Sequence, residues 1–260
     1  MQLKQIARDA LLKPLQAVSG IVERRHTLPI LANVLLEQRE GSLYVTATDL
    51  EMQITAHSEM PGKDGQATTV GARKLQDLLR ALPDDASLNI DVGNNKMTVR
   101  AGRSRFNLQT LPATDYPRIT LGTEQLQTLT LPQKDLRSLF KLAEFAMAQQ
   151  DIRYYLNGML LVVDGTKVRA VATDGHRLAL CEVQKDGASA KIEAIIPRKT
   201  ILELSRLLPD NEDPVRVQMA ATQVKFSFGD IELISKLVEG KFPDYQRVVP
   251  AANSKAFVIG

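Results

Sequence analysis

Residues 169–180 read RAVATDGHRLAL, with Asp174 and His176 two apart between apolar, β-prone runs. A carboxylate at that spacing could orient an imidazole for general-base work. Such a pair needs a nucleophile, a second acid or a metal, and the chain supplies three histidines (His26, His57, His176) and a single cysteine, Cys181. The histidines have no metal-ligand spacing, and one cysteine makes neither an internal disulfide nor a thiolate cluster. Asp174 has instead the setting of a turn former that hydrogen-bonds its own backbone. No catalytic residue, metal site or cofactor is expected, and Cys181 is expected to be a small core hydrophobe.

The elements that carry these residues follow from composition and periodicity. In 260 residues, 44% hydrophobic content is ample for one large core or two ordinary ones. No run approaches a membrane span, and MQLKQIARDA lacks the apolar stretch of a signal peptide, so a cytoplasmic location is expected. The net charge of +3 does not by itself announce nucleic acid. Its placement says more. Helices are predicted over 7–19, 71–82, 133–148 and 198–208, and together these carry eleven basic and five acidic residues, a surplus of +6 that leaves −3 for everything else. For any single helix, an ordinary solvated face is the plain alternative.

An internal repeat sets the architecture. VTATDLEMQI (45–54) matches AVATDGHRLAL (170–180), placing Thr48-Asp49 on Thr173-Asp174 at an offset of 125. LANVLL (31–36) falls on LNGMLL (156–161), ARKLQDLLRALPDD (72–85) falls on PRKTILELSRLLPDN (197–211), and both copies close on Asp-Tyr, at Asp115-Tyr116 and Asp244-Tyr245. Within a copy the order β-α-β-β-β occurs twice, with strands predicted near 3–7, 32–38, 42–48, 50–58, 67–72, 88–92, 96–101 and 104–110. GNNK (93–96) has hairpin chemistry. Leu75, Leu78, Leu79 and Leu82 share a stripe, so Arg73, Lys74 and Arg80 must point elsewhere. Pro14, well inside the first helix, removes a backbone donor there and is expected to distort it. The predicted fold class is α+β, with antiparallel sheets backed by two basic helices per domain. Domains are placed at 1–123 and 129–250, and residues 251–260 are read as a linker and the first strand of a third copy.

LLKPLQAVSG, TLPILANVLL, TATDLEM, TTVGARK, RSRFNLQTLP, RYYLNGML, VATDGHRLAL and SKLVEGKFPDYQRV, in this order along the whole chain, resemble the bacterial DNA polymerase III beta subunit family, the sliding clamps. The resemblance implies a DNA-clamp fold: a homodimeric ring of three similar domains per chain, helices lining a hole around duplex DNA and sheets outside. It implies a non-enzymatic processivity factor in DNA replication. Its partners would be double-stranded DNA, the polymerase III catalytic subunit, the clamp loader and other proteins carrying a clamp-binding motif, with no membrane. DNA contacts carry over to Arg24, Arg73, Gln150, Tyr154 and Tyr155, and Arg137, Arg198, Lys199 and Arg206 join them on helix position and charge. Gln149 stands where relatives often have histidine, which leaves its role open. A partner-peptide pocket carries over to Leu156, Thr173, Gly175, His176, Arg177, Leu178, Pro243, Arg247 and Val248.

Two other classes compete. An enzyme built on Asp174 and His176 would lose turnover in His176→Ala while still binding partner peptides. A stand-alone DNA-binding protein would hold short linear duplex tightly and with strong salt dependence.

Overall fold

The computed structural model describes residues 1–22, 28–124 and 126–250; Arg24, His26 and the expected linker 251–260 lie outside them. The first copy runs β1 (Gln2–Ala7), α1 (Arg8–Val18), β2 (Asn33–Arg39), β3 (Ser42–Thr48), β4 (Met52–Glu59), β5 (Gln66–Gly71), α2 (Ala72–Arg80), β6 (Ser87–Gly93), β7 (Lys96–Ala101) and β8 (Ser104–Leu111). This is the expected β-α-β-β-β order, twice. At the β6–β7 turn Asn94 and Asn95 both adopt positive φ, 51° and 55°, as a two-residue hairpin of this sequence requires.

Pro14 does not break α1. It cannot donate to the Ala10 carbonyl one turn back, but Ser58 Oγ on β4 donates to that carbonyl at 2.6 Å. The helix therefore runs through the proline, which is itself buried. In α2, Ala72, Leu75 and Leu79 are buried while Arg73, Lys74 and Arg80 are exposed, as the stripe dictates.

The second copy is β9 (Gln127–Pro132), α3 (Gln133–Ala143), β10 (Gly158–Thr173), β11 (Leu178–Pro197), α4 (Arg198–Leu207), β12 (Pro214–Met219), β13 (Gln223–Phe228) and β14 (Ile231–Lys236). Here four expected strands merge into two long ones of 16 and 20 residues. The pairing survives the merger. Thr48 opposite Gln53 recurs 125 residues on as Thr173 opposite Leu178, and Asn33 opposite Gly71 recurs as Gly158 opposite Pro197, one residue further along the returning strand. A bridge between Gly165 and Ser189, flanked by register shifts, keeps the ribbon paired where the first copy has turns. Helix α3 stops at Ala143 rather than 148, and the chain continues as a 3-10 turn over Glu144–Ala146.

The copies join edge to edge. Strand β4 pairs antiparallel with β14, Thr55 opposite Glu232, inside a sheet ordered β1-β6-β7-β8-β5-β2-β3-β4-β14-β13-β12-β9. On the helical side α1 packs on α2 and α3 on α4. Arg206 of α4 donates to the Ala17 carbonyl of α1 at 2.9 Å, and the Glu203 carboxylate fills the place a side chain at Gly20 would need. The helices thus form a row, α2-α1-α4-α3.

Candidate functional site

The aspartate turns of the two copies are superimposable in their bonding. Thr48 Oγ1 donates to Met52 O, Leu50 N–H donates to Thr48 Oγ1, and Asp49 Oδ1 accepts from Glu51 and Met52 N–H. Thr173, Asp174, Gly175, His176 and Arg177 repeat all four bonds. The third residue of each turn has positive φ, 74° at Leu50 and 87° at Gly175. The His176 and Arg177 amides, helped by the Arg177 guanidinium, hold the Asp174 carboxyl down at about 2. Its second oxygen accepts from Arg177 Nε at 3.0 Å, so no Asp-His dyad forms. Among the described residues no cluster of metal-ligating side chains occurs.

Of the predicted peptide-pocket residues, Gly175, His176 and Arg177 are exposed on this turn, and Thr173 is half-buried beneath it. The Arg177 guanidinium lies 5.5 Å from the ring of Phe145, an exposed aromatic. Leu178 packs with Tyr155, Val238 and Tyr245 against a small cluster of Leu160, Val162, Val171, Ile195 and Phe242. Pro243 sits on the rim of a groove of about 590 Å³ floored by Leu160, Val162 and Ile195. That groove does not include His176 or Arg177, so it adjoins the predicted pocket without coinciding with it. Val248 is exposed, and Arg247 is held by Asp244 at 3.0 Å. Leu156 is 1% exposed and offers no surface to a peptide in this conformation.

Sequence reasoning missed Arg153. Its backbone N–H and Nε donate to Asp151 Oδ1 at 2.8 and 3.1 Å, its Nη2 donates to Oδ2 at 2.8 Å, and the same Nη2 reaches the Asp174 carbonyl at 3.4 Å. This fork holds the Asp151 carboxyl down at about 2. The spacing Asp151-x-Arg153 was the available signal, but two adjacent charges of opposite sign are common on surfaces.

The predicted DNA residues divide sharply. Arg73 is exposed, and neither it nor Lys13, Lys74, Arg80 or Lys141 has an ion-pair partner among the described residues. Gln150 is exposed at a positive φ of 57°, and Tyr154 is 57% exposed with its ring edge-on to half-buried Tyr155. The tyrosines lie in a 3-10 turn over Tyr154–Leu156. The second-copy cations are engaged. Arg137 pairs with Asp210 at 2.9 Å, and Arg206 pairs with Glu203 at 2.7 Å. Arg198 donates to the carbonyls of Glu144 and Met147 where α3 ends. Lys199 reaches Asp49 of the first copy at 2.5 Å. In the first copy Arg8 is turned inward, bonded to Asp9, Asp84 and the Leu82 carbonyl, so the expected outward basic face is thinner than the helix charges suggest.

A tandem pair of α+β units, joined through one sheet and backed by one row of helices, defines the clamp class of folds. Residues 1–120 match the family model for the DNA polymerase III beta subunit N-terminal domain, and residues 130–244 match that for its central domain. Beta sliding clamps of Pseudomonas putida and Escherichia coli K12 are 50% and 45% identical over 97% and 98% of the chain, which spans 69% and 70% of their length. Crystal structures of the DNA polymerase III subunit beta from Pseudomonas aeruginosa and of the sliding clamp from Caulobacter crescentus superpose with TM-scores of 0.92 and 0.89, at 46% and 40% identity. The alignments cover 98% of this chain and 69% and 70% of those chains. The chain belongs to the beta sliding clamp family. Its function is that of a DNA sliding clamp in replication, and it is not an enzyme.

Proposed function

We propose that the domains at 1–123 and 129–250 form part of a cytoplasmic ring that surrounds duplex DNA and tethers replication proteins through short peptides. The observation that carries this reading is the single row α2-α1-α4-α3, whose cations Lys13, Arg73, Lys74, Arg80 and Lys141 are exposed and have no ion-pair partner among the described residues. Phosphates meet separate, weakly held positive charges along such a row, so contacts exchange rapidly and affinity at any one point stays low. Gln150, Tyr154 and Tyr155 add polar and aromatic contacts beside it, with Arg24 and the paired Arg137, Arg198, Lys199 and Arg206 as further candidates. Partner chains such as the polymerase III catalytic subunit and the clamp loader would dock at the Thr173–Leu178 turn and at Pro243, Arg247 and Val248. There Arg177 and Arg247 offer donors beside apolar side chains. The ring in this reading is a homodimer in which further domains complete the circle.

The test is topological. A protein extended to the relatives' full length is loaded on circular DNA, and the circle is then cut once. Loss of the protein on cutting is expected; equal retention on circle and line overturns the reading. For the present chain, weak binding to short linear duplex is expected, and nanomolar affinity near physiological salt would favour direct gripping instead.

A further inference from the structure

The Arg153 side chain stands between the loop that carries Gln150 and Tyr154 and the turn that carries Gly175, His176 and Arg177. On one side it forks onto Asp151, whose backbone is pinned in turn by Asn157: Asn157 Nδ2 donates to Asp151 O at 2.8 Å, and Asn157 Oδ1 accepts from Asp151 N–H at 2.9 Å. On the other side the guanidinium lies against the backbone of Gly175. A side chain there would begin 3.1 Å from Nη1 and 3.2 Å from Nη2, and the Asp174 carbonyl accepts from Nη2. Among the described residues the first copy shows no such fork at its turn. Leu28 stands in the place of Arg153, and Leu50, not glycine, occupies the matching turn position at nearly the same φ. Gly175 thus combines a positive φ, which strains any side chain, with the close approach of a guanidinium.

We infer that Arg153 is a positioning residue that couples the duplex surface to the peptide surface, an inference that rests on the reading above. The side chain is half-exposed, and phosphate competes with carboxylate for a guanidinium fork. A duplex settling on Gln150 and Tyr154 draws Arg153 from Asp151 and with it the brace behind Gly175. The turn then changes its conformational balance although no DNA touches it. By reciprocity, a peptide that fixes the turn alters duplex affinity by the same factor.

The experiment follows the backbone amide resonances of this 260-residue chain while a short linear duplex is titrated in. Gly175 and His176 are expected to shift with the same apparent Kd as Gln150 and Tyr154. Arg153→Lys keeps the charge but loses the fork, and should cut the Gly175 and His176 response about fivefold or more, the lower end of usual coupling, while Gln150 still responds. Asp151→Asn loosens the competing carboxylate and should enlarge the response. A purely structural arginine would change the spectrum of the free protein and leave the DNA response intact. Shifts confined to Gln150 and Tyr154, or an undiminished response in Arg153→Lys, overturn the coupling alone. Absence of shifts at all four residues under saturating duplex overturns the duplex reading and the coupling with it.

Discussion

Asp49 and Lys199 lie 150 residues apart in the chain and 2.5 Å apart in space, Nζ to Oδ2, across the junction of the two copies. The Asp49 side chain is 6% exposed, and its other oxygen is already taken by the Glu51 and Met52 amides. Lys199→Met strands one oxygen of a nearly enclosed carboxylate. Because the lysine itself is partly solvated, a loss of about 1–2 kcal/mol is expected, seen as a Tm lower by a few degrees in calorimetry. An unchanged Tm would show that the contact adds nothing to the junction.

Ser58 makes the proline in α1 tolerable. Ser58→Ala leaves the Ala10 carbonyl without a donor and should cost about 1–3 kcal/mol by urea unfolding. Adding Pro14→Ala restores the helical N–H and should recover much of that loss. Equal damage in the single and double variants would mean that the hydroxyl matters for some other reason.

Asp151 and Asp174 both titrate at about 2 in the folded chain, below the usual carboxylate value near 3.9. A depressed folded value means that the stabilisation is complete above the unfolded value and is lost as pH falls towards 2. The stability gap between the native chain and Asp174→Asn should therefore be constant above about pH 5 and shrink between roughly pH 4 and 2. Carboxyl carbon shifts followed by NMR give the midpoints directly, and a midpoint near 4 for Asp174 would contradict the turn geometry.

Arg73 and Arg137 differ in what they must give up to meet phosphate. Arg73 has no ion-pair partner among the described residues, whereas Arg137 must leave Asp210. In duplex-binding titrations at several salt concentrations, Arg73→Ala should lower the salt slope by about 1, and Arg137→Ala should lower it by less. Equal slopes for the two variants would mean that the Arg137 pair opens freely in solution.

The sequence made the repeat legible because turn chemistry is local. Thr48-Asp49 and Thr173-Asp174 announce the same four hydrogen bonds, and GNNK announces its hairpin. Helix α2 was legible for a similar reason, since Leu75 and Leu79 fix its buried stripe and hence the exposure of Arg73. What stayed hidden was made by distant partners. Nothing near Ser58 points to Ala10, and nothing near Lys199 points to Asp49. Arg198 looked like an outward cation but is spent on the carbonyls of Glu144 and Met147. The merger of four strands into β10 and β11 depends on the Gly165–Ser189 bridge, whose strength no periodicity records. Leu156, carried over to the peptide pocket, is buried in this structure, and an apolar residue beside a site has the same sequence pattern whether it faces the site or the core.

The pairing of β4 with β14 is a heterologous joint: the last strand of one copy's first unit offers an edge, and the last strand of the next copy takes it. Such a joint uses different faces on its two sides, so it has no built-in stopping point. Whether successive copies close or wind into an open spiral then depends on the rotation that each joint imposes. Substitutions that tilt Thr55 against Glu232 would therefore act on that rotation.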